Sequence, residues 1–364
     1  MLGEESEKMR HGKFREDLLS HIGRLSQIGG ISHFVHADGK AKGTGTLRVR
    51  TARGLEFWVV PDKGMDIYEA SFRGRSLCWH SPTGMVHPAY YSTRSLEWLK
   101  GFAGGLLTTC GLSTAGAPSN DQGEALGLHG SISNTPAEGV SWTEDWQQDD
   151  CSFRISGKVR EASVHGPNLV LHRTITTSLN TASIAIHDVV ENQGVRTTPL
   201  MILYHFNFGF PLLTPRSKIY APSVKVEPVD DFSQATVDQW NLFDSPEMGL
   251  GEKVYFHDMD GGSSGKTTVV LVSDQEEPDY GVAMTYDSRT LPKFNQWKMT
   301  AANHFVLGLE PANCNTRGRQ HERSQGTLQT LEPGESKEFT VELQVLDNEK
   351  SVKEAIHAAS TKHS

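Results

Sequence analysis

Residues 169–194 read LVLHRTITTSLNTASIAIHDVVENQG, and their apolar side chains recur with a period of two on either side of Asn180. A period of two puts alternate residues on opposite faces of an extended chain, so the segment predicts two half-buried strands and excludes an amphipathic helix. The same alternation governs FTVELQV, where Phe339, Val341, Leu343 and Val345 share one face and Thr340, Glu342 and Gln344 the other. Just upstream, LEPGES supplies a Pro-Gly turn after GTLQT, which predicts a hairpin. Residues 54–80, GLEFWVVPDKGMDIYEASFRGRSLCWH, add two or three strands, with turns at 61–64 and 73–75. Short strands separated by turns, with little room for long helices, define an all-β chain built as a large antiparallel β-sandwich.

Three segments follow from this pattern. Residues 1–20 are expected to form a polar leader with a short helix, 21–348 one β domain, and 349–364 a C-terminal helix that frays. No repeat of 20–50 residues points to a propeller or β-helix, and DGGSSGK at 260–266 is short enough to be a loop tip.

Composition narrows the partner. A formal net charge of −9, with no run of Lys or Arg, argues against nucleic acid. It favours a small neutral molecule or another protein. Four cysteines, with no CxxC pair, fit a reducing compartment. The charged start MLGEESEKMRHGKFRED has no apolar signal region, and the longest apolar run is broken by His205, Asn207 and Pro211. No membrane span is therefore expected, and the expected location is cytoplasmic.

That apolar run, MILYHFNFGF at 201–210, is the first candidate for chemistry. As a strand it turns Tyr204, Phe206, Phe208 and Phe210 one way and His205, Asn207 and Gly209 the other. An imidazole beside an amide and a glycine can floor a cleft for a polar ligand; equally, His205 can be a satisfied histidine on a solvated face. In HFVLGLEPAN, Gly308 and Glu310 share a face opposite Phe305, Leu307 and Leu309. A carboxylate ending an apolar strand is costly unless paired, although a Glu can also simply cap a strand at a proline turn. GLHGS holds His129 between Gly127 and Gly130, and such loops are commonly inert. The small residues of GFAGGLLTTCGLSTAG, at 101–116, fit either tight turns around a site or a core strand. In LPKFNQWKM, Gln296 and Trp297 bring an amide and a flat ring of the kind that meets sugars; a core Trp beside an exposed Gln reads as well.

The chain contains no nucleophile elbow, no HExxH and no close ligand cluster with zinc spacing. Acid–base chemistry by a His and a Glu, without metal or cofactor, is the simplest inference.

The order of these pieces resembles the aldose 1-epimerase (galactose mutarotase) superfamily over roughly residues 20–348. PDKGMDI, GGLLTTCGL, GLHG and the late LEP are similar to the motifs of one branch of it. The resemblance implies a β-supersandwich with few short helices that interconverts the anomers of a free sugar. It implies that His205 is the general acid at the ring oxygen and Glu310 the base at the anomeric hydroxyl. His129 and Gln296 would contact the sugar, Trp297 would line the site, and Asn207 would orient His205 or the sugar. Lys63 stands where the branch carries Arg and would contact sugar hydroxyls, with a point charge rather than a bidentate fork. Two rivals keep the fold: a carbohydrate-binding protein without catalysis, and a metal-dependent sugar isomerase or epimerase using His129, His205 and Glu310 as ligands.

Overall fold

The structure is a computed structural model that describes residues 14–360. Among the described residues, two large antiparallel sheets of twelve and eight strands pack face to face. The larger sheet runs from Gly30–Val35 through Asp66–Phe72, Leu107–Leu112 and Thr198–Gly209. It continues through His304–Ala312, Lys293–Ala301 and Lys253–Met259 to Ser223–Pro228. The smaller sheet contains the two strands expected around Asn180, Asn168–Ser178 and Ser183–Asn192. It also contains Ser336–Leu346, whose burial alternates residue by residue from Phe339 to Val345. Phe57, Phe206 and Leu309 from one sheet meet Phe153, Ile186 and Phe339 from the other in one continuous core.

Two local expectations change. Gln329–Leu331 does not turn back on Ser336–Leu346; it pairs with Thr198–Leu200 in the larger sheet. Ser336–Leu346 instead lies between Ser183–Asn192 and Gly281–Asp287. The Pro-Gly turn thus carries the chain from one sheet to the other, because each flank has a longer-range partner. The terminal helix, Glu349–Ser360, is seated: Val352 and Ala359 pack on Val270, Val272 and Leu346. Its expected fraying falls on 361–364, outside the described residues, as do residues 1–13 of the polar leader; Phe14–His21 is helical.

Thr198–Gly209 sits near the middle of the larger sheet and is buried on both sides. Its inner face sends Ile202, Tyr204, Phe206 and Phe208 into the main core. Its outer face sends Met201 and Leu203 into a second apolar cluster with Trp98, Phe102, Cys110 and Cys314. Chain from Trp79 to Asn134 supplies much of this cover. The second face is thus a roofed one, not the solvated face that a bland reading of His205 required.

Beneath the strand, an ionic cluster joins the sheets. The Arg173 guanidinium donates to Asp188 at 2.7–3.2 Å, to Asp66 at 2.9 Å and to the Gly64 carbonyl at 3.1 Å. Tyr204 donates its hydroxyl to Asp188 at 2.8 Å, and Thr109 donates its amide and hydroxyl to Asp66. Arg173 and Asp188 have fully buried side chains. Losing one member of such a cluster strands a charge and costs about 3–5 kcal/mol. Asp66 of the PDKGMDI motif therefore has a structural duty.

Candidate active site

The outer face of the larger sheet assembles the site by register. His205 pairs with Thr108, Asn207 with Gly308, Gly308 with Trp297, and Glu310 with Asn295. Directly opposed residues share a face, so three neighbouring strands present His205, Asn207, Gly308, Glu310, Trp297 and Asn295 together. His205 Nε2 lies 3.2 Å from Glu310 Oε1, and their side chains are 6% and 2% exposed. The pair is close, but it is not aligned as a hydrogen bond.

Gly308 makes that approach possible. A Cβ there would stand 2.6 Å from Glu310 Oε1, 3.0 Å from Trp297 Cβ and 3.4 Å from His205 Cε1. The site floor therefore needs a hydrogen at this position.

Four buried polar atoms on this face make no hydrogen bond: His205 Nδ1, Asn207 Oδ1, Asn295 Oδ1 and Glu310 Oε1. Each such atom costs about 1–3 kcal/mol while it lacks a partner, and the clustering of four of them marks this patch as the candidate site. Asn207 spends its amide donors on the Gly105 and His205 carbonyls. Asn295 spends one on the Cys314 carbonyl.

Aromatic rings wall the pair. Phe102, Trp297 and His129 approach the His205 ring at centroid distances of 5.4, 5.5 and 5.8 Å. Trp98 stacks on Phe102 at 4.5 Å and leans on His129 at 4.8 Å. Trp79 meets the edge of Trp297 at 5.9 Å, and Trp297 donates its indole N–H to Glu252 at 2.8 Å.

The GLHG loop earns its place by fit. His129 takes a left-handed φ of +59°, its amide donates to the Gly116 carbonyl, and its carbonyl accepts from Gly111. A Cβ on Gly130 would come within 2.4 Å of the Gly111 and Thr114 carbonyl oxygens, so the loop is threaded against the Leu107–Leu112 strand. GGLLTTCGL is accordingly both of the things its composition allowed. Gly104 and Gly105 adopt positive φ, and Leu107–Leu112 is a fully buried strand.

Burial sets the protonation. It pushes the His205 imidazole down to about 4, offset in part by the nearby Asn207 amide. It pushes the Glu310 carboxyl up to about 8, with the Glu252 carboxylate adding to the rise. His129 falls to about 3 through burial and the neighbouring His205. At neutral pH both members of the pair thus favour their uncharged forms, and the single proton between them rests on Glu310.

Two further residues expected at the site have different positions. Lys63 stands one wall away, donating to Asn134 Oδ1 at 2.6 Å. It lines a cavity of about 30 Å³ with Trp98, Phe102 and Thr108, and burial lowers its ammonium to about 8. Gln296 is turned to the opposite face of the sheet. Its amide nitrogen donates to the Trp240 carbonyl at 2.8 Å, and its oxygen lies 3.0 Å from His257 Nε2. The contact with sugar implied for Gln296 therefore has no geometric basis; adjacent strand residues face opposite ways, so Trp297 and Gln296 cannot share one site. That parity rule was available in the sequence, and it points to Asn295. Phe102, Trp98 and Trp79 were also missed, since a ring that covers a site has the same spacing as one that fills a core.

His129, His205 and Glu310 do not bring three ligand atoms within 4.8 Å of one another, whereas Glu69, Cys78 and His80 are the one such group among the described residues. The four cysteines are free and buried. No helix among the described residues is long and apolar enough to cross a membrane.

The two-sheet antiparallel β-sandwich resembles galactose mutarotase, and comparison with solved structures bears out the fold. A provisionally assigned aldose 1-epimerase of Klebsiella pneumoniae superposes with a TM-score of 0.86 at 26% identity, covering 92% of this chain and 88% of that one. A galactose mutarotase-like protein of Clostridium acetobutylicum gives a TM-score of 0.59 at 13% identity, over 88% of this chain and 99% of that one. Galactose 1-epimerase of Lactobacillus acidophilus gives 0.54 at 12%, over 88% and 99%. At those lower identities the likeness speaks for the fold alone. Residues 41–345 match the family model described as a domain of unknown function, DUF4432, and the chain belongs to that family. A search of curated proteins found no match.

Proposed function

We propose that this protein is an aldose 1-epimerase-type isomerase that interconverts the α and β anomers of a free sugar at His205 and Glu310. One observation carries the reading: a buried imidazole and carboxyl 3.2 Å apart, ringed by polar atoms that lack partners. A carbohydrate-binding surface needs hydroxyl partners and aromatic faces, but it has no use for an acid and a base held together away from water.

Ring opening of a hemiacetal removes a proton from O1 and delivers one to the ring oxygen, with no net change in protons. A pair holding one proton suits that exchange. When O1 donates to Glu310 and the ring oxygen accepts from His205, the resident proton belongs on the imidazole. The sugar's hydroxyls then replace the water that burial removed, and favour the charged pair. Transfer from His205 to the ring oxygen and from O1–H to Glu310 opens the ring. Rotation about C1–C2 and the reverse transfers close the other anomer. Asn207 Oδ1 would receive the His205 Nδ1 proton and so direct Nε2 at the sugar, while Asn295 Oδ1 is available to a hydroxyl. His129, kept neutral, offers a hydrogen bond without a competing charge.

Anomer exchange by NMR across neutral aldoses, deoxy sugars and uronates tests this, with the uncatalysed rate subtracted. Acceleration of one sugar, lost in both Glu310→Gln and His205→Asn, is the expected result. Sugars that bind without any acceleration would overturn it in favour of a binding protein.

A further inference from the structure

Outside the proposed active site, three groups of metal-ligand type converge near the strand that carries Trp79. Glu69 lies on Asp66–Phe72; Cys78 directly precedes the two-residue strand that ends in His80. His80 Nε2 lies 3.3 Å from Glu69 Oε2 and 3.6 Å from Cys78 Sγ. All three ligand atoms fall within 4.8 Å of one another.

We propose that Glu69, Cys78 and His80 bind a divalent cation of the zinc class, leaving its fourth position open to solvent. The spacings carry this. Zinc bonds of about 2.0–2.1 Å to nitrogen and oxygen and about 2.3 Å to sulfur, at tetrahedral angles, require N–O edges of about 3.3 Å and N–S edges of about 3.6 Å. The two edges that meet at His80 already have those lengths. The third, from Sγ to the carboxylate, closes by rotation of Glu69, whose side chain is 36% exposed and has room to turn. The thiolate, imidazole and carboxylate form a borderline donor set, which suits zinc better than calcium or magnesium.

The rival reading, a Cys–His–Glu nucleophilic relay, fails on the same distances. A relay places its two partners on opposite ring nitrogens, whereas Cys78 and Glu69 both address Nε2. Around His80, Glu69 and the edge of the Tyr68 ring come from the neighbouring strand, and Cys78 from its own segment. Trp79, between the two ligands, packs on Trp297 and Phe102 of the proposed active site, so the cation would anchor one of that site's outer walls.

The test uses the full chain, treated with chelator and titrated with Co²⁺. One equivalent is expected to bind, with a thiolate-to-cobalt charge-transfer band that Zn²⁺ abolishes. Cys78→Ser should lose the band. His80→Gln should weaken binding by more than the ~10–100-fold typical of losing an outer partner. Circular dichroism of each metal-free variant checks folding; Glu69→Gln, altered at a partly exposed position, serves if Cys78→Ser does not fold, and should bind more weakly with the band retained. Absence of cobalt binding, or binding with an unchanged spectrum in Cys78→Ser or unchanged affinity in His80→Gln and Glu69→Gln, would overturn the proposal.

Discussion

Tyr204 and His205 are neighbours on one strand, and they look into two different kinds of polar cluster. Below, Tyr204 joins Arg173, Asp188, Asp66 and Thr109, where each charge meets an opposite charge and aligned donors. Above, His205 joins Asn207, Asn295 and Glu310, where four polar atoms have no hydrogen bond. Burial is nearly the same on the two sides, so burial does not tell structure from function. Satisfaction does: the charges of the lower cluster all have aligned partners, whereas four polar atoms of the upper one make no hydrogen bond within the protein.

The sharpest way to break this contrast is to remove one member of each cluster. Glu310→Gln and His205→Asn should each lower the rate of anomer exchange by about 10²–10⁴-fold, the usual worth of a positioned acid or base. Neither should lower the melting temperature as Asp188→Asn does, because His205 Nδ1 and Glu310 Oε1 have no hydrogen bond to lose. Asp188→Asn should do the opposite and lose about 3–5 kcal/mol in denaturant unfolding. If Glu310→Gln proved the more destabilising of the two, the contrast would collapse.

Gly308→Ala gives the next largest effect. Its methyl meets Glu310 and Trp297, and displacement of a reacting group by about 1 Å costs on the order of 10²-fold in rate. A rate near wild type would show that the floor is not where the chemistry happens.

The pH profile of kcat/KM is a further test. With His205 lowered to about 4 and Glu310 raised to about 8, activity needs one proton on the pair. It should form a bell with limbs near those values, which belong to the pair rather than to either residue. Stability responds too. The native state binds the Glu310 proton more tightly than the unfolded chain does, so its contribution is fully present below about 4.5. That contribution is lost as pH rises through about 8. Glu310→Gln should flatten this decline in a melting series. The smallest effect belongs to Gln296→Ala: about 1–3 kcal/mol of stability, from stranding His257 and the Trp240 carbonyl, with KM for the sugar unchanged.

Much of this was legible beforehand. Alternation in FTVELQV and around Asn180 defined the strands because one face of each is apolar and the other is not. The opposite faces of Tyr204 and His205, and of Leu309 and Glu310, followed from the same rule. What alternation cannot show is which strands become neighbours. Gln329–Leu331 chose Thr198–Leu200 over its sequence neighbour, and the roof over His205 is made of chain some hundred residues upstream. The resemblance suggested Gln296, whereas the pleat selects Asn295. Asp66 and Arg173 were silent in the sequence, since a charge in a strand reads as exposed until its partner from the other sheet is known.

The aromatic roof also has a kinetic consequence. His205 is only 5% exposed, and Phe102 and Trp297 lie against its ring. For the proposed sugar to reach the pair, these covering rings would have to move, and admission would then depend on the fraction of molecules in which they have done so. The apparent dissociation constant is the intrinsic one divided by that fraction. An open population of about one in a hundred would weaken apparent binding about 100-fold while leaving the proton transfers untouched. Selectivity among sugars can therefore reside in the cost of lifting the roof as much as in the hydroxyl contacts beneath it, and Phe102→Ala would trade one for the other.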